Sequence, residues 1–132
     1  MGVVNYLLDT HVLLWAVGEE SRLRGKVLTI IEDINTPLFV SAASAYEIMY
    51  KHKLGKLLGY THVAENYFDV LNKLGVNELP ISARHAHLAG NLDWAHRDPF
   101  DRLLAAQSSI ENMTLITNDE VFLELPQINL LW

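Results

Sequence analysis

Cysteine is absent from the 132 residues, and this absence excludes disulfide bonds, thiolate metal sites and a cysteine nucleophile. No apolar run is long enough to cross a bilayer, and no basic segment with a cleavage site precedes the first predicted strand. We therefore expect a protein of the reducing cytoplasm that has no association with a membrane.

Basic residues are also scarce. Lys and Arg together number 10 against 16 Asp and Glu, which gives a formal net charge of −6. This charge argues against a protein held on nucleic acid by bulk electrostatics, so any such contact has to be local or made together with a partner. Half of the residues are hydrophobic, which excludes disorder for most of the chain and predicts one domain over residues 1–132.

The predicted strands and helices alternate along the chain. Short apolar runs predict strands over residues 3–8, 38–40, 76–79, 113–116 and 128–131. Apolar residues at three- and four-residue steps predict helices from residue 12, over residues 21–33 and 42–53, from a cap at Thr61 to Gly75, and from Ser82 and Pro99 onward. Strands separated by helices imply a parallel sheet with right-handed crossovers.

The first strand ends in a carboxylate, Asp9. In an open α/β sheet ligands bind outside the carboxyl ends of the strands, so Asp9 is expected at the functional edge. The alternative is that Asp9 or Thr10 only caps the helix that follows, since both residue types accept bonds from the first free amides of a helix.

The helix over residues 42–53 begins after Ser41, a good N-cap, and carries Ser44, Glu47 and Lys51 on one side. Glu47 is either a functional acid or one half of a solvated i,i+4 pair with Lys51, which is worth only tenths of a kcal/mol. At the end of this helix, Lys51, Lys53 and Lys56 form a small basic cluster. This cluster either contacts RNA or is ordinary solvated surface.

His85 and His87 are spaced i,i+2 on a predicted helix, so their rings do not share a face. We expect surface histidines there and no metal site.

The stretch over residues 96–107 is the most informative. Pro99 fits the first position of a helix, which makes Asp98 its N-cap and places Asp101 in the first turn. A cap uses its carboxylate on its own helix, whereas Asp101 is expected to keep both oxygens available, so Asp101 is favoured as a ligand. Asp119 follows the strand over residues 113–116 and meets Asp9 and Asp101 at one edge of the sheet. Three acids at the starts of helices could also be three caps.

Four segments resemble the PIN-domain family, and in particular the VapC-type toxins of toxin–antitoxin pairs. They are residues 7–11 (LLDTH), 40–48 (VSAASAYEI), 98–106 (DPFDRLLAA) and 115–119 (LITND), and the resemblance covers nearly the whole chain. It implies a three-layer α/β/α fold whose central parallel sheet has the strand order 3-2-1-4-5. It also implies an endoribonuclease, a cognate antitoxin as partner, and a homodimer. His11 departs from the pattern, since a small polar residue is common at that position.

By this resemblance the catalytic and metal-binding acids are Asp9, Glu47, Asp101 and Asp119. Carboxylates held close together need cations or protons at pH 7, and Mg²⁺ (or Mn²⁺) prefers oxygen ligands, activates water and stabilises charge on a phosphodiester. Hydroxyl groups expected to orient these ligands are those of Thr10, Ser44 and Thr117. Basic residues expected to contact the RNA backbone are Lys51, Lys53, Lys56, Arg97 and Arg102.

Two other functional classes are compatible with acids at strand ends. A receiver-like signalling module needs a phosphoacceptor Asp after its middle strand and a Lys near its last strands. Here Ser41 follows the strand over residues 38–40, and residues 113–132 contain neither Lys nor Arg, so this class is disfavoured. A catalytically inactive PIN-like scaffold that binds RNA or protein remains the alternative to the nuclease.

Overall fold

The structure, a computed structural model, describes residues 3–132. Its five strands are β1 (Tyr6–Leu8), β2 (Leu38–Ser41), β3 (Val76–Leu79), β4 (Thr114–Ile116) and β5 (Asn129–Leu131). Its seven α-helices are α1 (Thr10–Gly18), α2 (Gly25–Glu32), α3 (Ala42–Lys53), α4 (Thr61–Glu65), α5 (Tyr67–Leu74), α6 (Ala83–Asn91) and α7 (Pro99–Ile110). Short 3-10 helices follow α1 and β4, at Glu20–Arg22 and Glu120–Glu124. Within residues 3–132, no helix has the length and apolar character that crossing a membrane requires.

All five strands are parallel and lie in the order β3-β2-β1-β4-β5, as predicted. Leu8, the last residue of β1, pairs in register with Val40 of β2 and Ile116 of β4. The residues that follow these three are therefore neighbours at the carboxyl edge of the sheet. They are Asp9, Ser41 and Thr117.

Strand β1 is buried on both faces, which explains its unbroken apolar sequence. Leu7 and Leu8 point to opposite faces of the sheet and both are fully buried. Leu8 packs into a core formed with residues of α1 to α5, and Leu7 packs into a second core formed with α7 and the segment after β4. The sheet thus lies between two layers. The prediction that the first strand begins at residue 3 was wrong, since β1 begins at Tyr6, and Val3 and Val4 are 73% and 51% exposed.

Two predicted helices are interrupted. The helix over residues 21–33 is a 3-10 turn followed by α2, because Leu23 is extended and buried in the core between them. The helix expected from Thr61 to Gly75 is divided into α4 and α5 at Asn66. The Asn66 side-chain amide bonds to the carbonyl of His62, a local alternative to helical bonding. Thr61 does not cap α4, whereas Gly75 ends α5 in the left-handed conformation, as predicted.

The prediction that His85 is a surface residue was wrong, although His87 is exposed. His85 is 3% exposed and closes a capping box with Ser82 at the start of α6. Its Nε2 lies 2.8 Å from the Glu111 carboxylate at the end of α7. These contacts fix α6 against α7, and α7 is the helix that carries Asp101.

Candidate active site

Asp9 lies at the carboxyl edge of the sheet, between β1 and α1. Its side chain is 6% exposed and accepts a 2.6 Å hydrogen bond from the Thr117 hydroxyl group. It occupies the N-cap position of α1 but accepts no hydrogen bond from the helix, so the alternative that it serves as a cap is not supported. Burial raises the pKa of Asp9, and the nearby Glu47 and Asp119 carboxylates raise it further, against lowering by Thr117 and His11.

Glu47 lies on α3. This helix begins after the predicted N-cap Ser41, whose hydroxyl group accepts a hydrogen bond from the Ala43 amide. The expected pair with Lys51 is present, with Nζ 2.5 Å from a Glu47 oxygen. The pair is not fully solvated, however, because Glu47 is only 7% exposed. A carboxylate on a surface helix is normally exposed, so its burial beside Asp9 sets it apart from an ordinary i,i+4 pair.

Asp101 projects from the first turn of α7. Burial is the main reason that its pKa rises to about 6, and the negative charges of Asp98 and Asp9 raise it further, against lowering by His96. The helix α7 lies beside α3, which carries Glu47, since the Phe100 and Tyr46 rings of these two helices are 5.9 Å apart. The expectation that both oxygens are free was half correct, since one accepts a 2.6 Å contact from His96 Nε2.

Asp98 caps α7, as predicted from the Pro99 that follows it. Its side chain accepts bonds from the amides of Phe100 at 2.9 Å and Asp101 at 3.4 Å. Asp119 is also a cap, of the 3-10 helix Glu120–Glu124, and accepts a 3.1 Å bond from Val121. The three-caps alternative thus holds for Asp119 and fails for Asp9 and Asp101.

The three hydroxyl residues expected around the acids have different partners. Thr117 donates to Asp9 and accepts from the Asp119 amide at 3.0 Å, so it connects two of the acids. Thr10 and Ser44 are buried and bond to each other at 2.7 Å, which joins α1 to α3. They support the helices that hold the acids, and neither hydroxyl bonds to an acid among the described residues.

Arg102 is half-buried against the backbone that precedes α7. Its guanidinium donates four bonds of 2.8 to 2.9 Å to the backbone carbonyls of Ala89, Leu92, Trp94 and His96. Four of its five N–H groups are therefore committed to the end of α6 and to the segment between α6 and α7. This geometry corrects the expectation that Arg102 contacts RNA.

We expect Arg102→Met to lower the free energy of unfolding by about 2 kcal/mol, because it leaves four carbonyl groups, one in α6 and three in the segment after it, without their charged donor. Arg102→Lys should recover little, since an ammonium group cannot match the planar fork. The matched control is Arg97→Met, on an exposed arginine nearby, with an expected change within about 0.5 kcal/mol. Urea denaturation measures all three, and equal stability of Arg102→Met and wild type would contradict the assignment.

His96 was missed as a candidate site residue. The signal available was its position in the loop that leads into α7, five residues before Asp101. In the structure, ligand atoms of His96, Asp98 and Asp101 all lie within 4.8 Å of one another. Among the described residues no other group of three reaches this spacing, so the acids around Asp9 are further apart.

The donor set fits a divalent cation. Carboxylate oxygens are the ligands that Mg²⁺ prefers, and Mg²⁺ keeps several waters, so acids at wider spacing can hold it partly through water. Asp9 Oδ1 accepts no bond from a side chain or amide of residues 3–132, although the carboxylate is buried. Burial is the main cause of the raised pKa values of Asp9 and Asp101, and neighbouring carboxylates raise both further, which a bound cation would oppose.

A sequence comparison decides the family of this fold. The PIN domain family matches residues 6–128. The chain belongs to the PIN domain family. The family prediction made from the four sequence segments is thus confirmed. Among curated proteins none matches the chain significantly.

Solved structures similar to this PIN domain include VapBC complexes from three bacteria. VapBC2 from Rickettsia felis, bound to a promoter DNA fragment, is 20% identical, with a TM-score of 0.70 over 97% of this chain and 98% of that one. VapBC-1 from nontypeable Haemophilus influenzae is 18% identical, with a TM-score of 0.70 over 97% of each chain. DNA-bound VapBC from Salmonella typhimurium is 16% identical, with a TM-score of 0.68 over 98% of each chain. At these identities the likeness shows a shared fold.

Proposed function

We propose that this PIN domain is a metal-dependent endoribonuclease and the toxin component of a toxin–antitoxin pair. The observation that carries the proposal is the buried Asp9 carboxylate at the sheet edge. The negative charges of Glu47 and Asp119 raise the pKa of Asp9, and the charge of Asp9 raises the pKa of Asp101. Membership in a family whose members are generally nucleases supports the reaction class. Similarity to structures described as VapBC and toxin–antitoxin complexes supports an antitoxin partner.

In this proposal Asp9, Glu47, Asp101 and Asp119 hold Mg²⁺ or Mn²⁺, directly or through water. Such an ion activates a water molecule and stabilises the charge that develops on the phosphodiester. Thr117 fixes the orientation of Asp9 by donating to one oxygen, which leaves the other oxygen for the ion. His96 does the same for Asp101 from the loop that precedes α7. Lys51 partly neutralises Glu47 and so limits repulsion in the metal-free site.

The test is cleavage of total RNA by the full chain with Mg²⁺, with Mn²⁺, and with a chelator, followed by mapping of the cleaved ends. We expect defined ends only when a divalent ion is present. The Asp101→Asn protein, purified identically, controls for contaminating nuclease. Cleavage that is absent with both ions would favour the inactive scaffold, and cleavage that survives chelation would refute metal dependence.

Contact with the RNA backbone is assigned to Lys53, Lys56 and Arg97, all exposed, with Lys51 shared between RNA and Glu47. If Lys53 and Lys56 contact phosphates, changing both to Gln should weaken binding to single-stranded RNA and flatten its dependence on salt. The expected change in the slope of log affinity against log salt is about 0.7 for each phosphate that the protein no longer neutralises.

The matched control is Lys73→Gln, on an exposed lysine of α5 that pairs with Asp69. Its slope should equal that of the wild type. If the double Lys variant also keeps the wild-type slope, the basic cluster is solvated surface.

A homodimer and a cytoplasmic location complete the proposal. The homodimer rests on the family resemblance, and the location rests on the absence of cysteine from the sequence. Sedimentation of the purified chain across a concentration series tests the dimer.

A further inference from the structure

Three aromatic side chains form one surface cluster beside the acids. Tyr46 and Tyr50, one turn apart on α3, stack with ring centroids 5.6 Å apart and planes inclined by 23°. The Phe100 ring, on α7, lies 5.9 Å from that of Tyr46 at 38°. The rings thus join the two helices that carry Glu47 and Asp101, and two of them belong to the residues directly before those acids.

Two of the three rings are open to solvent, and Phe100 is half-buried. Tyr46 is 63% exposed and Tyr50 is 50% exposed, although aromatic rings usually contribute to a core. Tyr46 and Tyr50 also line a shallow cleft of about 270 Å³ together with Met49 and Lys53. Among the described residues neither hydrophobic core includes any of the three rings, so core packing does not explain their place at the surface.

We propose that Tyr46, Tyr50 and Phe100 form a stacking platform for unpaired RNA bases next to the scissile phosphodiester. The inference rests on the proposed ribonuclease function and specifies its substrate as single-stranded at this point. Every base has a flat π-face, and stacking on aromatic side chains is how proteins hold single strands without reading sequence.

Charge and position favour RNA over a protein partner as the occupant. The cleft contains one lysine, Lys53, whose ammonium group can pair with a phosphate of the RNA backbone. Phe100 and Asp101 are consecutive residues on α7, so a strand whose phosphate reaches Asp101 passes close to Phe100, although the two side chains point in different directions. Two tyrosines also keep exposed hydroxyl groups that a dry apolar interface would have to desolvate.

The experiment measures binding without cleavage, with a chelator present, to three labelled probes of equal length. The probes are a single-stranded oligoribonucleotide, the same RNA as a duplex, and an abasic strand with the same phosphates. The variants are Tyr46→Leu, Phe100→Leu and the pair together. Phe68→Leu is the matched control, since Phe68 is 61% exposed but lies on α5, away from the acids.

We expect the wild type to prefer the single strand over the duplex and the abasic strand. Each Leu variant should lose about tenfold in affinity for the single strand, and none should change for the abasic strand. Tyr46→Trp should retain or increase affinity because its π-face is larger. Phe68→Leu should bind as the wild type does, and thermal melting confirms that every variant is folded.

Failure of the platform can be distinguished from failure of the ribonuclease proposal. If the wild type cleaves RNA and the Leu variants bind the single strand as well as it does, the platform is wrong and the nuclease stands. A change from dimer to monomer in the Leu variants, with unchanged RNA affinity, would assign the rings to a contact between copies. A wild type that neither binds nor cleaves RNA would overturn both proposals.

Discussion

Asp101→Asn is expected to reduce RNA cleavage at least about 100-fold, while Asp98→Asn leaves it largely intact. The two residues are three positions apart on the same turn but have different partners. Asp98 uses its carboxylate to cap α7, and Asn caps about as well as Asp. Asp101 bonds to His96 with one oxygen and experiences the negative charge of Asp9, and in the proposed function it shares a cation with Asp9. Asn at this position keeps the shape and loses the charge that the cation needs.

Initial rates of cleavage at saturating Mg²⁺ measure this difference, and isothermal titration with Mg²⁺ measures the loss of binding separately. Both variants should melt within a few degrees of the wild type, since neither substitution removes packing. Equal loss of activity in the two variants would show that Asp98 is also a ligand of the ion. This outcome has a structural basis, because Asp98 lies in the group of three ligand atoms within 4.8 Å.

The sheet and its central acid were predictable because their signals are local. Leu7 and Leu8 are adjacent and both apolar, which occurs in a strand buried on two faces, and Asp9 interrupts the run at the point where β1 ends. Asp98 was equally predictable, since a proline at the first helical position places the cap one residue before it. The strand order came from the resemblance to the PIN-domain family, because the spacing of strands alone permits several orders.

Long-range partners were not predictable from the residues. His85 looked like a surface histidine by spacing, but its burial depends on Glu111, which lies 26 residues away on another helix. Arg102 looked like any arginine near an acid, and its four carbonyl partners depend on how α6 and the segment after it pack against α7. The i,i+4 pattern indicated the pair of Glu47 with Lys51, whereas the burial of Glu47 depends on how α3 packs beside β1.

Mg²⁺ is expected to raise the free energy of unfolding by about 2.7 kcal/mol at a hundredfold excess over its dissociation constant, because it binds the folded form and not the unfolded chain. The size follows from the hundredfold excess alone, and the acids give a reason for the direction of the effect. A raised pKa means that the ionised carboxylate is less favourable in the folded state than in the unfolded state. At pH 7 the charges of Asp9 and Asp101 therefore lower the stability of the metal-free protein, and a cation relieves that cost. Melting temperature at constant ionic strength, with KCl as the compensating salt, measures it.

Two variants separate an active-site acid from a cap in the same melting experiment. Asp9→Asn removes a buried charge while keeping an oxygen for the Thr117 hydroxyl, so the metal-free protein should become more stable and the response to Mg²⁺ should diminish. Asp119→Ala removes the cap of the 3-10 helix Glu120–Glu124, so the metal-free protein should lose about 1 kcal/mol, and its response to Mg²⁺ should also diminish. The opposite signs in the absence of metal follow from one difference in the structure, since Asp119 bonds to its own helix and Asp9 does not. A wild type that ignores Mg²⁺, together with an Asp9→Asn protein that is less stable than wild type, would show that these acids serve the fold and not a metal ion.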